Sequence, residues 1–207
     1  KNPAAEKASN IQHYVHDPEV RRAAWLHRLD APMWTAEPNR GHHAIAELDR
    51  RGVLHALVTQ NIDELHQAAG VDPELVIEVH GTARWTRCWS CGDRRTMREA
   101  LDRVRSGEAD PPCLVCGGIL KSDTISFGQQ LVPEVIDRAL RASEQCDVLL
   151  AVGSTLSVYP AANCVPIARS AGATVIILNG EPTAMDHHAR HLLQGRIGDL
   201  LPVLVGR

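Results

Sequence analysis

The chain has 207 residues, 44% of them hydrophobic but only 3% aromatic, and carries a formal net charge of −3. It is long enough to bury a sizeable core, packed mainly by Val, Leu, Ile and Ala. The charge excludes a globally basic binder of nucleic acid or anionic membrane, and no apolar run approaches the ~20 residues that a membrane-spanning helix needs.

In chain order, residues 9–29 predict a helical stretch. Asp17-Pro18-Glu19 reads as a helix start, with Asp17 as N-cap and Pro18 at the first helical position. Trp25, Leu26 and Leu29 are expected to form its apolar face. Pro32 and Pro38 break the next stretch, and residues 41–51 read as a second helix closed by Gly52. Residues 53–59 form a short apolar run that predicts a strand, followed by a Gln60-Asn61 turn and a helical segment over 63–69. A further apolar strand from Glu74 to Val79 runs into His80 and Gly81.

Cys88-Trp-Ser-Cys91 and Cys113-Leu-Val-Cys116 are two C-x2-C knuckles with 21 residues between them. Four thiolates so spaced can converge tetrahedrally on one zinc ion. Gly92 and Gly117-Gly118 follow the second cysteine of each pair, where the chain must turn tightly. A four-thiolate site has no open position for water, so the zinc is expected to be structural. Cys146 and Cys164 stand in apolar contexts and read as buried free thiols, which suits a reducing cytosol.

Beyond the knuckles the strand–turn–helix order returns. Residues 147–152 are nearly all apolar; Gly153-Ser154-Thr155 comes next, then a helix opened by Pro160 and closed at Gly172. Residues 174–178 are again apolar and lead to Asn179-Gly180-Glu181. Such runs predict an α/β fold with a parallel sheet covered on both faces. The zinc module, about residues 83–123, is an insertion into it.

Ligands of open parallel sheets bind beyond the carboxyl ends of the strands. The turns at Gln60, Gly153 and Asn179 offer amide, hydroxyl and carboxylate groups to a ribose- and phosphate-bearing ligand. Gly153-Ser154 leads toward a helix N-terminus, a natural phosphate position, and Glu181 can accept from ribose hydroxyls. His80, at a strand end beside the domain junction, is a candidate general base. Each feature also has a structural reading, because polar strand ends and lone histidines are common.

Thr59-Gln60-Asn61-Ile62-Asp63-Glu64-Leu65-His66, Glu78-Val79-His80-Gly81-Thr82, the two knuckles, Ser126-Phe127-Gly128, Gly153-Ser154-Thr155-Leu156-Ser157-Val158-Tyr159-Pro160 and Ile177-Leu178-Asn179 occur in this order. The set resembles the sirtuins, the NAD-dependent protein lysine deacylases, from about residue 36 to the C-terminus. The resemblance implies a Rossmann-like domain carrying a small zinc ribbon and a helical segment. The expected division is 1–35 (helical segment), 36–82 (Rossmann-like domain, first part), 83–123 (zinc ribbon) and 124–207 (Rossmann-like domain, second part).

It further implies that NAD is a consumed co-substrate. The acyl oxygen of a modified lysine attacks C1′ of the nicotinamide ribose and nicotinamide leaves. His80, as general base, then deprotonates a ribose hydroxyl. Lysine and O-acyl-ADP-ribose result. By the same resemblance, Gln60, Asn61 and Asp63 surround the nicotinamide and its ribose. Gly153, Ser154, Thr155 and Ser157 line the phosphate and ribose path, Asn179 and Glu181 hold the adenosine ribose, and Ile197 lies against adenine. Phe127-Gly128-Gln129 and Leu156-Ser157-Val158 sandwich an acylated-lysine peptide as an added strand.

There are three departures from the family pattern. Its opening Gly-Ala-Gly-Ile-Ser turn is absent and is expected upstream of Lys1. Gln129 stands where members carry Glu, which implies a weaker preference for basic flanking residues. Trp25-Leu26-His27-Arg28 stands where members preferring succinyl or malonyl lysine carry Tyr-x-x-Arg. Arg28 would then face an acidic acyl group; the alternative is a core Trp25 and a surface Arg28. The order of acyl preference is acetyl, then longer acyl, then succinyl. A mono-ADP-ribosyltransferase or non-catalytic ADP-ribose binder is the alternative at the same site, and a zinc-ribbon nucleic-acid binder the alternative of another class. The zinc module carries eight basic and six acidic residues, which reads as a solvated face and not as a phosphate track.

Overall fold

The computed structural model describes residues 7–206, which form two compact units. One gathers the chain up to Ala36 with Asn61–Glu64 and His80–Leu131; the other gathers Glu37–Gln60, Leu65–Val79 and the chain from Val132 onward.

The first unit opens with helices α1 (Ile11–His16) and α2 (Pro18–Leu29), which divide the predicted stretch at Asp17. Asp17 caps α2 as expected, its carboxylate accepting from the Glu19 N–H at 2.9 Å. Trp25 is fully buried, but Leu26 is 58% exposed, contrary to expectation. One residue turns a helix by about 100°, so the stripe that buries Trp25 takes Leu29, four positions on, and leaves Leu26 to solvent.

Three antiparallel strands come next, ordered β4-β3-β5: β3 (Gly81–Cys88), β4 (Arg94–Thr96) and β5 (Leu120–Thr124). Helix α5 (Met97–Arg105) buries Met97, Ala100, Leu101 and Val104, an i, i+3, i+4, i+7 stripe. These pack with Trp25, Leu120, Cys88 and Cys113 into one core. The Tyr14 hydroxyl donates to the Leu120 carbonyl at 2.9 Å.

Lys121 is a buried cation in this unit. Its ammonium donates to the carbonyls of Ser122 (2.8 Å) and Thr124 (2.6 Å). Burial first, and the nearby Arg28 charge second, pull its pKa down to about 8. The Arg28 guanidinium lies 5.3 Å from the Trp25 ring and 5.8 Å from the Tyr14 ring. Most arginines of the module are already paired: Arg87 and Arg94 with Asp123, Arg95 with Asp93, Arg103 with Glu108, Arg105 with Asp102.

The second unit holds two parallel sheets. Strands β1 (Leu57–Thr59) and β2 (Val76–Glu78) form one; β6 (Val148–Val152), β7 (Thr174–Asn179) and β8 (His191–Gln194) form the other, in the order β6-β7-β8. Of the run 53–59 only the last three residues pair; Val53 is 63% exposed, so the start of the run is approach and not strand. Helices α3 (Arg40–Arg50), α4 (Leu65–Ala68), α6 (Pro133–Gln145), α7 (Cys164–Ser170) and α8 (Ile197–Val205) complete the unit. Pro160 precedes a 3-10 turn over Ala161–Asn163, and α7 itself begins at Cys164.

Three apolar clusters fill the unit, centred on Leu178 and Leu201, on Val175 and Ile177, and on Ile77 and Ala139. Cys164 is buried and Cys146 half-buried, both free, and burial pushes both thiols above their usual range. No helix among the described residues is long and apolar enough to cross a membrane.

Candidate functional site

The four knuckle cysteines converge within the first unit, every sulfur within 4.8 Å of the others. Cys88 Sγ and Cys116 Sγ are 3.5 Å apart, and Cys91 Sγ and Cys113 Sγ are 3.7 Å apart. A tetrahedral zinc site with metal–sulfur bonds near 2.3 Å has sulfur–sulfur edges of about 3.8 Å, so the donor set fits zinc. Backbone N–H groups of Ser90 and Cys91 point at Cys88 Sγ (3.4 and 3.5 Å), and that of Val115 at Cys113 Sγ (3.4 Å). Such donors favour thiolate over thiol. The chain turns with positive φ at Gly92 and Gly117, as the spacing predicts.

In the same unit, His80 is half-buried where the chain enters β3. Its carbonyl accepts from the Ile125 N–H at 2.8 Å, and Gly81, at φ +68°, turns the chain behind it. A Cβ at Gly81 would stand 2.2 Å from the Asp123 carbonyl oxygen, so only glycine fits there. The Asn61–Glu64 turn is fastened to the start of β3. The Ile62 carbonyl accepts from the Ala83 N–H at 2.9 Å, the Glu64 carboxylate from the Thr82 hydroxyl at 2.6 Å, and the Asp63 carbonyl from Arg84 Nε at 3.3 Å. Asn61 is exposed and Asp63 half-buried. His80, Asn61 and Asp63 are thus held on one small framework.

Phe127 is 72% exposed although its backbone is fixed: its N–H donates to the Ser9 carbonyl (2.8 Å) and its carbonyl accepts from Ile11 (3.0 Å). Gly128 comes next at φ +81°, and the Gln129 side chain accepts from the Ser126 N–H at 3.3 Å. Trp25 lies in the core and Arg28 is half-buried, with one guanidinium nitrogen buried and without an acceptor.

The second unit gathers the remaining candidates at the carboxyl ends of β1, β6 and β7. The Gln60 amide donates to Ser154 Oγ at 3.2 Å, joining the ends of β1 and β6. Ser154 Oγ also accepts from the Leu156 N–H at 3.1 Å, and the Thr155 and Ser157 hydroxyls are 2.8 Å apart. Gly153 sits at φ +63°, and a Cβ there would stand 2.6 Å from Ile197 Cδ1, so this strand end and the start of α8 approach closely. The Asn179 amide donates to the Glu181 carbonyl at 2.7 Å, and the Asn179 carbonyl accepts from Gly195 at 3.1 Å. The Glu181 side chain is exposed. Val158 is 43% exposed beside the cis Tyr159–Pro160 bond.

Sequence reasoning missed two features. Glu64 and Leu156 hold left-handed backbone at φ +59° and +53°, one in the turn after Gln60 and one in the turn after Gly153. Non-glycine residues in that region cluster at functional loops, but no residue-type signal marks them beforehand. It also missed Thr82 and Arg84, which fasten the 61–64 turn; their position just after His80 was the available clue.

Comparison with known proteins gives a consistent result. Residues 2–160 match the Sir2 family. The chain is 46% identical over 205 residues to NAD-dependent protein deacetylase 2 of Streptomyces coelicolor, covering 99% of this chain and 85% of that one. Among solved structures, a Sir2 protein bound to a myristoylated histone peptide superposes with a TM-score of 0.82 at 37% identity, covering 97% of this chain and 83% of that one. A Sir2 homologue complexed with NAD gives a TM-score of 0.86 at 35% identity, covering 97% and 76%. With the family matched over residues 2–160 and a relative 46% identical over almost the whole chain, the chain belongs to the Sir2 family.

Proposed function

We propose that this protein is an NAD-dependent protein lysine deacylase, acting first on acetyl-lysine, that passes the acyl group to ADP-ribose and releases nicotinamide. The observation that carries the reading is the 46% identity, over almost the whole chain, to a protein named NAD-dependent deacetylase. Solved Sir2 relatives bound to acetylated and propionylated peptides support peptide substrates.

The chain's own groups suit these steps. His80 takes the proton from a ribose hydroxyl, work for which an imidazole, titrating near neutrality in water, is the natural side chain. Asn61 and Asp63 orient the nicotinamide ribose, and Gln60 with Gly153, Ser154, Thr155 and Ser157 binds the phosphate and ribose path. Asn179, Glu181 and Ile197 hold the adenosine end. The exposed Phe127 and Val158 flank the peptide, whose main chain pairs with Gly128-Gln129. When bound at the four cysteines, zinc supplies a structural crosslink within the first unit. Free thiols at Cys146 and Cys164 support a cytosolic setting, and ion pairing of the module's arginines weighs against nucleic acid as partner.

The test is incubation with NAD and a panel of acetyl-, longer-acyl- and succinyl-lysine peptides, with free lysine and nicotinamide followed by mass spectrometry. Acetyl loss that requires NAD is the expected result. Transfer of label from NAD onto protein, without loss of acyl groups, would instead favour the ADP-ribosyltransferase.

A further inference from the structure

Within the second unit a cavity of about 220 Å³ opens between α6 and the first sheet. Its apolar floor is Ala56, Ile77 and Ala142, and its polar groups are His55, Arg138, Arg141 and Gln145. His55 and Ala56 precede β1, so the cavity lies toward the amino ends of the strands, opposite the turns at Gln60, Gly153 and Asn179.

Among the described residues no carboxylate lines it. The Arg138 guanidinium donates to the Glu74 carbonyl. Arg141 makes no hydrogen bond or ion pair among the described residues. The acidic residues of the same helix, Glu134, Asp137 and Glu144, pair with neither arginine. Two guanidinium groups one helical turn apart, joined by a histidine ring and an amide above an apolar floor, therefore stand without a counter-charge in a chain of net charge −3. Planar guanidinium forks bind phosphate oxygens in pairs, and the floor accepts a short carbon skeleton. The volume suits a phosphate group with a few attached atoms; drug-sized and dinucleotide ligands occupy roughly 300–1,000 Å³.

We propose that His55, Arg138, Arg141 and Gln145 form a binding site for a small phosphate-bearing anion, separate from the strand-end turns.

The test is NMR titration of the full chain with inorganic phosphate and, separately, with glycerol 3-phosphate. Saturable shifts of the His55 ring and the Arg141 Nε–H resonances are expected. Arg141→Gln, at an exposed position without a partner, keeps the fold and weakens binding by roughly tenfold, the loss of one charge-assisted contact; Arg141→Glu abolishes it. NAD affinity stays unchanged in both variants. Ester-specific shifts of the Ala56, Ile77 and Ala142 methyls identify a phosphate ester as the ligand, and equal affinity for both probes identifies the free anion. Unmoved His55 and Arg141 resonances at about 10 mM of either probe, or wild-type affinity in Arg141→Glu, overturn the proposal.

Discussion

Gly81→Ala puts one methyl group against the framework that holds His80. The new Cβ would lie 2.2 Å from the Asp123 carbonyl oxygen, a backbone atom that no side-chain rotation can move. Left-handed backbone with a Cβ costs about 1–2 kcal/mol. Prying β3 from β5 far enough to relieve the collision costs about 1–3 kcal/mol more, and the Ile125 N–H to His80 carbonyl bond contributes about 1 kcal/mol that is lost. The total is about 4 kcal/mol, which for a chain of this length lowers Tm by roughly 8–16 °C.

Gly107→Ala isolates the strain. Gly107 is also in the first unit, at φ +104°, and a Cβ added there would meet nothing within 4 Å, so the substitution should lower Tm by only about 2–8 °C. All four tryptophans, Trp25, Trp34, Trp85 and Trp89, lie in the first unit, so intrinsic fluorescence reports its melting directly. Equal Tm values for the two variants would refute the argument that backbone collision, rather than φ, reserves position 81 for glycine.

Other expectations concern the cation, the metal and the co-substrate. Lys121 titrates near 8 when folded and near 10.5 when unfolded. Between these values the unfolded chain binds more protons, so stability of the first unit rises with pH across that window, by about 3 kcal/mol, and is flat just below it. Lys121→Met should remove this slope; an unchanged slope by fluorescence-detected urea titration would contradict the assignment. Elemental analysis should find one zinc per chain, and Cys113→Ser should abolish it and unfold the first unit, because Cys113 is 4% exposed within its core. Full metal content in that variant would refute the four-sulfur site. Gln60→Ala removes the amide that reaches Ser154 and should raise the NAD Kd about fivefold; calorimetry showing no change would remove Gln60 from the binding path.

How much was legible depends on what each element buries. Strands β6 and β7 announced themselves because Val148–Val152 and Thr174–Leu178 are almost wholly apolar, although only β7 is well buried; β6 has no buried residue and Val148 is 53% exposed. Strand β8, His191–Gln194, is polar at both ends and gave no such run. Strand β3 alternates irregularly around its arginines, so the antiparallel sheet of the first unit stayed hidden although the cysteines at its end did not. The Asp17 cap was readable from three residues, while the solvent-facing Leu26 depended on where Trp25 pointed. The candidate site was legible through ordered motifs, because glycines and polar turns are dictated locally. The left-handed Glu64 and Leu156 are imposed by their surroundings and left no mark in residue type.

The most direct test of the central claim counts products. With NAD and an acetyl-lysine peptide, nicotinamide, free lysine and O-acetyl-ADP-ribose should form in equal amounts. His80→Ala should still bind NAD while losing O-acetyl-ADP-ribose formation by at least about a hundredfold, the usual contribution of a general base. Full product formation by His80→Ala, or acetate in place of O-acetyl-ADP-ribose as the primary product, would contradict it.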